Sequence, residues 1–503
     1  MLLLSPKNLL PLHHFQNLKI ALNLRLMRRS SPRAKTIAPN VAIFDIAEEG
    51  KGVGRAGELV VFVEKAVPGD VADVEIYRQK KNFAEAKITL LKTASGLRTE
   101  PFCQHFGDCG GCKWQHMTYE AQLHYKQKAV TDALERIAKV DVSSLIPILP
   151  SPETRFYRNK LEFTFSDRRW LTNGEISSGE TFATDALGFH VPLYFDRILD
   201  IQKCHLQSDS SNEIRNSVRD FAMQHQISFY NLRNHEGALR NLIIRTASTG
   251  ELMVIVVFAY AEPEQVESLM EFLKTGFPQI TSLLYILNQK KNDTIFDQEV
   301  LTYHGRDFIY EEMQTEFNPV KTVRFRIGPK SFYQTNSHQA THLYEVARDF
   351  ANLKGDELVY DLYTGAGTIA NFIAGKVKQV VGIEYVESAI EDAKINSQIN
   401  NITNTQFFAG DMREVLDASF TAQNGRPDVI ITDPPRAGMH PDVVARLMEI
   451  SAEKIVYVSC NVATQARDLL VLKEKYEVTK IQPVDMFPHT QHVENVLLLQ
   501  LKK

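Results

Sequence analysis

Short stretches in which apolar and polar residues alternate dominate the chain from Val41 to about Leu91. Val41-Ala-Ile-Phe44, Glu58-Leu-Val-Val-Phe-Val63, Asp70 to Tyr77 and Phe83 to Ile88 are divided by glycines and by Pro68-Gly69. A period of two with such breaks predicts a small five-stranded barrel. The period then lengthens. From Thr118 to Val140 the apolar residues Leu123, Ala129, Val130, Ala133, Leu134 and Ile137 recur at three and four, which predicts an amphipathic helix. Between Asp141 and Val323 the pattern returns to strands, and Leu242 to Thr246 and Leu252 to Phe258 flank Ser248-Thr-Gly250 as a hairpin. This stretch reads as an α+β region. Beyond Arg326, strands at Glu357–Asp361, Val380–Glu384, Gln406–Ala409, Val429–Asp433, Ile455–Ser459 and Val496–Gln500 alternate with helical stretches. That alternation predicts a doubly wound, Rossmann-like α/β domain. The expected organisation is a leader over 1–38, a barrel over 39–97, a middle domain over 98–325 whose helix 118–140 could pack on the last domain, and a C-terminal domain over 326–503.

Composition narrows the function classes without choosing one. With 44% hydrophobic and 23% charged residues the chain is of globular type, and 57 basic against 61 acidic residues leaves −4, so nucleic acid would have to be met by local patches. The longest apolar run, Leu252 to Ala261, is about half the roughly 20 residues of a membrane span, and no membrane association is expected. Residues 1–44 hold basic side chains and no acid, which fits a transit segment, a nucleic-acid-binding arm or a start at Met27. Five cysteines are too few for a disulfide framework, and three of them crowd between Cys103 and Cys112, so a metal site in a reducing compartment is expected. Cytoplasm is the expected location.

Candidate chemistry gathers at the strand ends of the C-terminal domain. The strand ending at Asp361 runs into Tyr363-Thr-Gly365-Ala-Gly367-Thr-Ile-Ala370, where glycines allow close approach of a ligand. Glu384, at the end of the next strand, can accept both hydroxyls of a ribose. The glycine spacing also fits a nicotinamide dinucleotide. Two acids, Asp361 and Asp433 of Asp433-Pro-Pro-Arg436, suit a ligand carrying an ammonium and a sulfonium better than a pyrophosphate, so S-adenosylmethionine is the expected cofactor. Asp411, after the third strand, is placed to hold the adenine amino group. Cys460 closes the fifth strand at the same edge as Asp433.

These blocks carry a specific resemblance. Asp433-Pro-Pro-Arg-Ala-Gly438, Ile455 to Thr464 with Cys460, and Val484-Asp-Met-Phe-Pro-His-Thr-Gln-His-Val-Glu494 resemble the RNA uracil-5-methyltransferase family over about Asn40 to Leu501. The barrel, through Gly50-Lys-Gly-Val-Gly-Arg55 and Val67-Pro-Gly-Asp70, looks like a TRAM domain of oligonucleotide-binding type. The resemblance implies that Cys460 is a nucleophile and Glu494 a base. It also implies cofactor contacts from Gln334, Tyr363, Gly365, Glu384, Asp411 and Asp433; Thr368 stands where some members have asparagine. The chemistry requires both catalytic groups. Uracil C5 is a weak nucleophile until a thiolate adds to C6, and its proton must leave after transfer. His489 and His492 are expected to pack or orient, and Arg436 to meet Asp433 or a phosphate.

Cys103, Cys109 and Cys112 form C-x5-C-x2-C, and Cys204 is the remaining thiol once Cys460 is set aside. An iron-sulfur cluster needs four thiolates; zinc with His105 or His116, and free thiols, stay open on the residues alone. The ribosomal members of the family carry a [4Fe-4S] cluster on this pattern, so the resemblance implies that cluster, a middle domain that carries it, and 23S ribosomal RNA as partner. No obligate protein partner is expected. Transfer RNA as substrate, a nicotinamide oxidoreductase and a non-catalytic RNA-binding assembly factor are the rivals.

Overall fold

The computed structural model describes residues 36–47, 49–317 and 320–503, in two compact units. Residues 1–35, and the leader expected there with the alternative start at Met27, lie outside the described residues. The first unit is a closed barrel in the order β1-β2-β3-β5-β4: β1 Thr36–Ile46, β2 Gly52–Ala56, β3 Leu59–Glu64, β4 Val71–Gln79 and β5 Phe83–Thr93. Alternation builds it. Val41, Ile43, Val61, Val63, Ala72, Val74 and Ala86 point inward and are buried, while Gly52 and Gly54 sit so close to Ile43, Val41 and Ala66 that a Cβ would stand within 3.0 Å of them. The barrel is narrow because small residues line it.

In the second unit the middle region is an eight-stranded sheet in the order β13-β12-β11-β10-β6-β8-β9-β7. Its strands are β6 Lys160–Ser166, β7 Arg169–Trp170, β8 Ala186–His190, β9 Ile198–Asp200, β10 Leu239–Thr246, β11 Leu252–Phe258, β12 Ser282–Leu287 and β13 Leu301–Gly305. The hairpin expected between Leu242 and Phe258 is β10 paired antiparallel with β11. One sheet face packs under helices Asp209–Gln224 and Pro263–Gly276. Part of the other shares a core with the hairpin of β14 (Ile309–Phe317) and β15 (Val320–Ile327) and with helix Ser337–Ala351, a core that runs on into the C-terminal sheet.

The last sheet has the order β18-β17-β16-β19-β20-β22-β21, from β16 Leu358–Leu362, β17 Gln379–Glu384, β18 Thr405–Ala409, β19 Val429–Thr432, β20 Lys454–Ser459, β21 Tyr476–Val484 and β22 Glu494–Leu501. Apolar runs such as Val429–Thr432 are buried along their whole length, as strands covered on both faces require. The chain leaves β16 in one direction to β17 and β18, and resumes on the opposite side of β16 with β19 and β20. The switch between β16 and β19 opens a crevice at their C-terminal ends, where such sheets hold ligands. β22 is antiparallel to β20, so its first residue lies at the edge where the parallel strands end. The helix expected over 118–140 is α-helical over Tyr119–Ala133, capped by Thr118, and continues as a π-turn over Leu134–Ala138 that stops at left-handed Lys139.

Candidate active site

Every acid expected near the cofactor sits on a strand end or just past it. Asp361, the fourth residue of β16, is buried; its Oδ2 accepts from Thr364 Oγ1 (2.5 Å) and Ala370 N (3.1 Å), while its Oδ1 has no hydrogen-bond partner among the described residues. Burial, opposed in part by those two donors, pushes its carboxyl up to about 7. Tyr363, Gly365 and Gly367 all take positive φ (63°, 55° and 72°), turning the chain sharply off β16. The two glycines differ in purpose. A Cβ on Gly367 would meet Ala393 Cβ at 2.9 Å, whereas one on Gly365 would meet nothing within 4 Å. Gly367 lets the helix pack; Gly365 borders open space. Glu384 ends β17 and accepts from Gly365 N (3.2 Å) and Val386 N (3.0 Å).

Asp411 lies past β18, caps helix Met412–Val415 and holds the Arg413 guanidinium, which with the backbone donor keeps its carboxyl down at about 2. Gln334, buried in Phe332–Asn336, has its carbonyl held by the Asn159 amide (2.8 Å), and two residues on, the Asn336 amide donates to Met486 O (3.1 Å). Thr368 Oγ1 meets Tyr344 Oη at 3.2 Å.

Asp433 follows β19 and Cys460 follows β20. The pairing of β20 with β22 sets Lys454 opposite Gln500 and Ser459 opposite Asn495. Cys460 follows Ser459 and Glu494 precedes Asn495, so the two come to the same edge, where the Glu494 charge acts on the Cys460 thiol. Glu494 is buried, at 4% exposure, so it is not a surface carboxylate at a strand start. Burial and the neighbouring charge raise both Glu494 and Asp433: each repels the next acid along the edge, Asp433 acting on Glu494 and Asp361 on Asp433. Burial and these two carboxylates push the Cys460 thiol up to about 11, and the Arg436 guanidinium pulls against them. His489 and His492 are both brought down to about 4, by burial first, and are therefore neutral.

Sequence reasoning gave Arg436 other partners and passed over Tyr344 and the Lys126–Asp485 pair. Arg436 is the positive charge that favours the Cys460 thiolate. Tyr344, fully buried on helix Ser337–Ala351, faces the charges of Asp433, Asp361 and Glu494, and burial with those charges raises its phenol. Lys126 and Asp485 form an ion pair at 2.5 Å with both side chains fully buried. Lys126 also donates to Phe487 O (3.0 Å), Tyr119 Oη to Asp485 Oδ2 (2.8 Å) and Tyr157 Oη to Pro488 O (3.0 Å), while His489 N donates to Gln122 Oε1 (2.8 Å). The segment that leads into Glu494 is thus gripped from two other parts of the chain.

Away from this edge, Cys103, Cys109, Cys112 and Cys204 line one cavity of about 410 Å³ in the middle sheet, together with His105, Arg158 and Lys160. Gln202 N donates to His105 Nε2 (2.9 Å), which ties the Cys204 segment to the Cys103–Cys112 loop. Burial raises all four thiols, Cys109 and Cys112 to about 12. Arg215, buried beside Cys204, donates to Asn212 Oδ1, Gln202 O and Asn216 Oδ1, all neutral oxygens. A buried cation is costly unless anions stand near it; the Asp200 carboxylate acts on Arg215, and thiolates at Cys204 and its neighbours would add to it. Among the described residues, no three His, Cys, Asp or Glu side chains converge to hold a single metal ion.

Comparison with known proteins places these features. A solved tRNA (uracil-54, C5)-methyltransferase of Pyrococcus abyssi, in complex with S-adenosyl-L-homocysteine, is 30% identical, covers 91% of this chain and 99% of its own, and superposes with a TM-score of 0.70. The chain belongs to the RNA uracil-5-methyltransferase family. The family described as tRNA (Uracil-5-)-methyltransferase matches residues 292–502, and the TRAM domain matches residues 40–89. An uncharacterized RNA methyltransferase of Bacteroides thetaiotaomicron is 56% identical over 461 residues, covering 91% of this chain and all of that one; one of Porphyromonas gingivalis is 54% identical, covering 91% and 98%. This uracil-5-methyltransferase depends on S-adenosylmethionine. Its acidic edge fits that cofactor: a free buried Asp361 oxygen, three carboxyls raised by burial, and open space at Gly365 all favour a bound cation. Among the described residues no helix is long and apolar enough to cross a membrane.

Proposed function

We propose that this enzyme methylates C5 of a uridine in 23S ribosomal RNA, with Cys460 as nucleophile and Glu494 as proton acceptor. The pairing of Ser459 with Asn495, which brings the next residue Cys460 and the preceding residue Glu494 to one edge where they interact, carries the reading. S-adenosylmethionine, when bound, supplies the methyl group. Gln334, Tyr363, Gly365, Glu384, Asp411 and Asp433 are the residues that would hold it, with Asp361 beneath them. The thiolate of Cys460 bonds to C6, and the displaced ring electrons make C5 able to take the methyl group. Glu494 then removes the C5 proton; the electrons of that C–H bond re-form C5=C6, and the C6–S bond breaks to return the thiolate. A thiol as high as about 11 ionises more readily when a positive charge offsets the Glu494 and Asp433 carboxylates, which ties attack to an occupied site and leaves Glu494 ionised to accept the C5 proton. A carboxyl raised by burial is well matched to the proton transfer, because the best acid-base groups titrate near working pH. The base must leave its stack in the RNA to reach this edge.

The four cysteines of the middle cavity are the ligands we assign to a [4Fe-4S] cluster. Their sharing of one cavity and the buried Arg215 support it. Such a cluster would cross-link the Cys103–Cys112 loop to the Cys204 segment. The division at 97/98 and 325/326 and a cytoplasmic setting belong to the same reading. Transfer RNA is the second reading, favoured by the substrate of the Pyrococcus abyssi enzyme.

RNA carrying 5-fluorouridine at the target has no C5 proton to lose and is expected to trap a methylated covalent adduct on a denaturing gel; its absence would count against attack at C6. Glu494→Gln is expected to let an adduct build up with ordinary RNA. Mapping 5-methyluridine in cells lacking the protein decides between the RNAs. Cys204→Ser is expected to bleach the brown iron-sulfur absorbance of anaerobically purified protein, and stoichiometric zinc in that protein would refute the cluster.

A further inference from the structure

A second cavity, of about 540 Å³, opens on the middle sheet at the end of β6, β8 and β10. Methyl transfer has no use for it. Thr164, His190 and Asn241 stand on or at the end of those strands, and Phe195, Tyr230, Arg233, His235, Arg240 and Lys291 complete its cationic and aromatic wall, with Asp293 as its acid. The wall is built rather than incidental. The buried Arg240 lies over the Tyr230 ring at 4.4 Å and donates to the carbonyls of Asn288 (2.8 Å), Lys290 (2.5 Å) and Asn292 (2.9 Å), fixing the loop that presents Lys291. Arg233 meets the buried carboxylate of Asp196, which Arg168 also reaches (3.0 Å), so two guanidinium groups share one acid. The Phe195 ring, 66% exposed, lies under the Arg233 guanidinium at 5.8 Å.

Position adds to chemistry. Lys160, Glu162 and Thr164 share one face of β6; the first two line the cysteine cavity, which reaches Thr335 beside Gln334, and the third lines this one. At about 3.3 Å per strand residue, Thr164 is roughly 13 Å from Lys160. The two cavities therefore lie along one row leading away from the methyl-transfer edge, within the few-nucleotide reach of single-strand binding sites. The volume falls in the range of sites that enclose a small molecule.

We propose that this cavity accepts one unpaired nucleotide of the substrate RNA, distant from the methylated uridine, with its base on Phe195, its edge toward Asn241 and its phosphate toward Arg233 and Lys291. The assignment rests on the RNA uracil-5-methyltransferase reading. Cations beside an exposed ring suit a nucleotide, in which a flat base and an anion come together.

The test uses the full chain and a single-stranded oligouridylate carrying 4-thiouridine. Irradiation is expected to cross-link it to peptides bearing Phe195 or His235. Phe195→Ala combined with Lys291→Glu is expected to lower oligouridylate affinity about tenfold and raise KM for substrate RNA, while S-adenosylmethionine affinity and the single-turnover rate at saturating RNA hold. Both residues are exposed, and an unchanged Tm verifies the fold. Unchanged affinity in the variant, or cross-links confined to the Cys460 edge, overturns the proposal; so does uridine monophosphate competing as well as the oligomer. Wild-type protein that methylates no RNA would instead sink the underlying reading and leave the cross-link result standing.

Discussion

The strand edge that carries Cys460 and the cavity that carries the four other cysteines both bury ionisable groups, yet they solve opposite electrostatic problems. At the edge, Asp361, Asp433 and Glu494 crowd together and raise one another, so the site lacks a cation. Around the cavity, cations outnumber acids: Arg158, Lys160 and Lys203 line it against Glu162, and Arg215 beside Cys204 donates to neutral oxygens, so the local balance is positive. They also differ in what holds them. Strand ends fix the edge through sheet register, whereas loops and a few hydrogen bonds fix the cavity. The lesson is that the same burial that stabilises a folded domain also leaves a charge deficit whose sign names the class of ligand it awaits.

The most severe break of this contrast is Cys460→Ala. It is expected to lower methyl transfer by roughly 10⁴-fold or more while S-adenosylmethionine still binds in equilibrium dialysis; appreciable turnover would remove the thiol from the chemistry. Next is Lys126→Met. It strands Asp485 as an unpaired buried charge, which costs about 3–5 kcal/mol, so chemical denaturation should show a large loss of stability, and Asp485→Asn in the same chain should recover part of it. A loss of rate with stability intact would mean that the pair acts on Glu494 alone.

Proton linkage sharpens the edge further. Asp361 has its carboxyl at about 7 in the fold, against a model-peptide value of about 3.9. The folded state therefore binds the extra proton between those values, so this group makes the apoprotein less stable as pH rises from about 4 to about 7. A sulfonium favours the ionised form, so cofactor binding is expected to release a proton and to tighten as pH rises toward 7, by at most tenfold per unit for one such group; calorimetry in buffers of different ionisation enthalpy reads the proton. Flat affinity over that window would mean the acids do not face the cation. The mildest test separates two glycines. Gly367→Ala, whose Cβ would stand 2.9 Å from Ala393, is expected to cost about 1–3 kcal/mol of stability. Gly365→Ala would meet none of the described residues within 4 Å and carries only the strain of its left-handed φ of 55°, so it is expected to cost less stability than Gly367→Ala and to weaken cofactor binding, as a paired Tm and binding measurement would show.

Much of this edge was legible before any coordinates. Asp361, Glu384, Asp433 and Cys460 each end a segment of continuous apolar residues, and in a parallel sheet all such ends lie on one side. Glu494 was different. It begins a strand, and periodicity alone would put it at the opposite edge with the other strand starts; only the family resemblance pointed to it. Lys126 and Asp485 were invisible because 359 residues separate them, and a lysine within an amphipathic helix reads as solvent-facing. Arg215 was hidden in the same way on helix Asp209–Gln224.

By itself, then, the order of apolar and polar residues determined the barrel, the alternation of strands and helices, and which acids and thiols stand at strand ends, because these depend on periods of two and about 3.6 that neighbours in the chain enforce. The tertiary structure alone decided that β22 runs backward and brings Glu494 to the Cys460 edge, that one cavity gathers Cys204 with the three cysteines the resemblance had grouped with it, and that Lys126 lies under the segment leading to Glu494. Those depend on contacts between distant segments, whose energy comes from desolvation and pairing that no local pattern encodes.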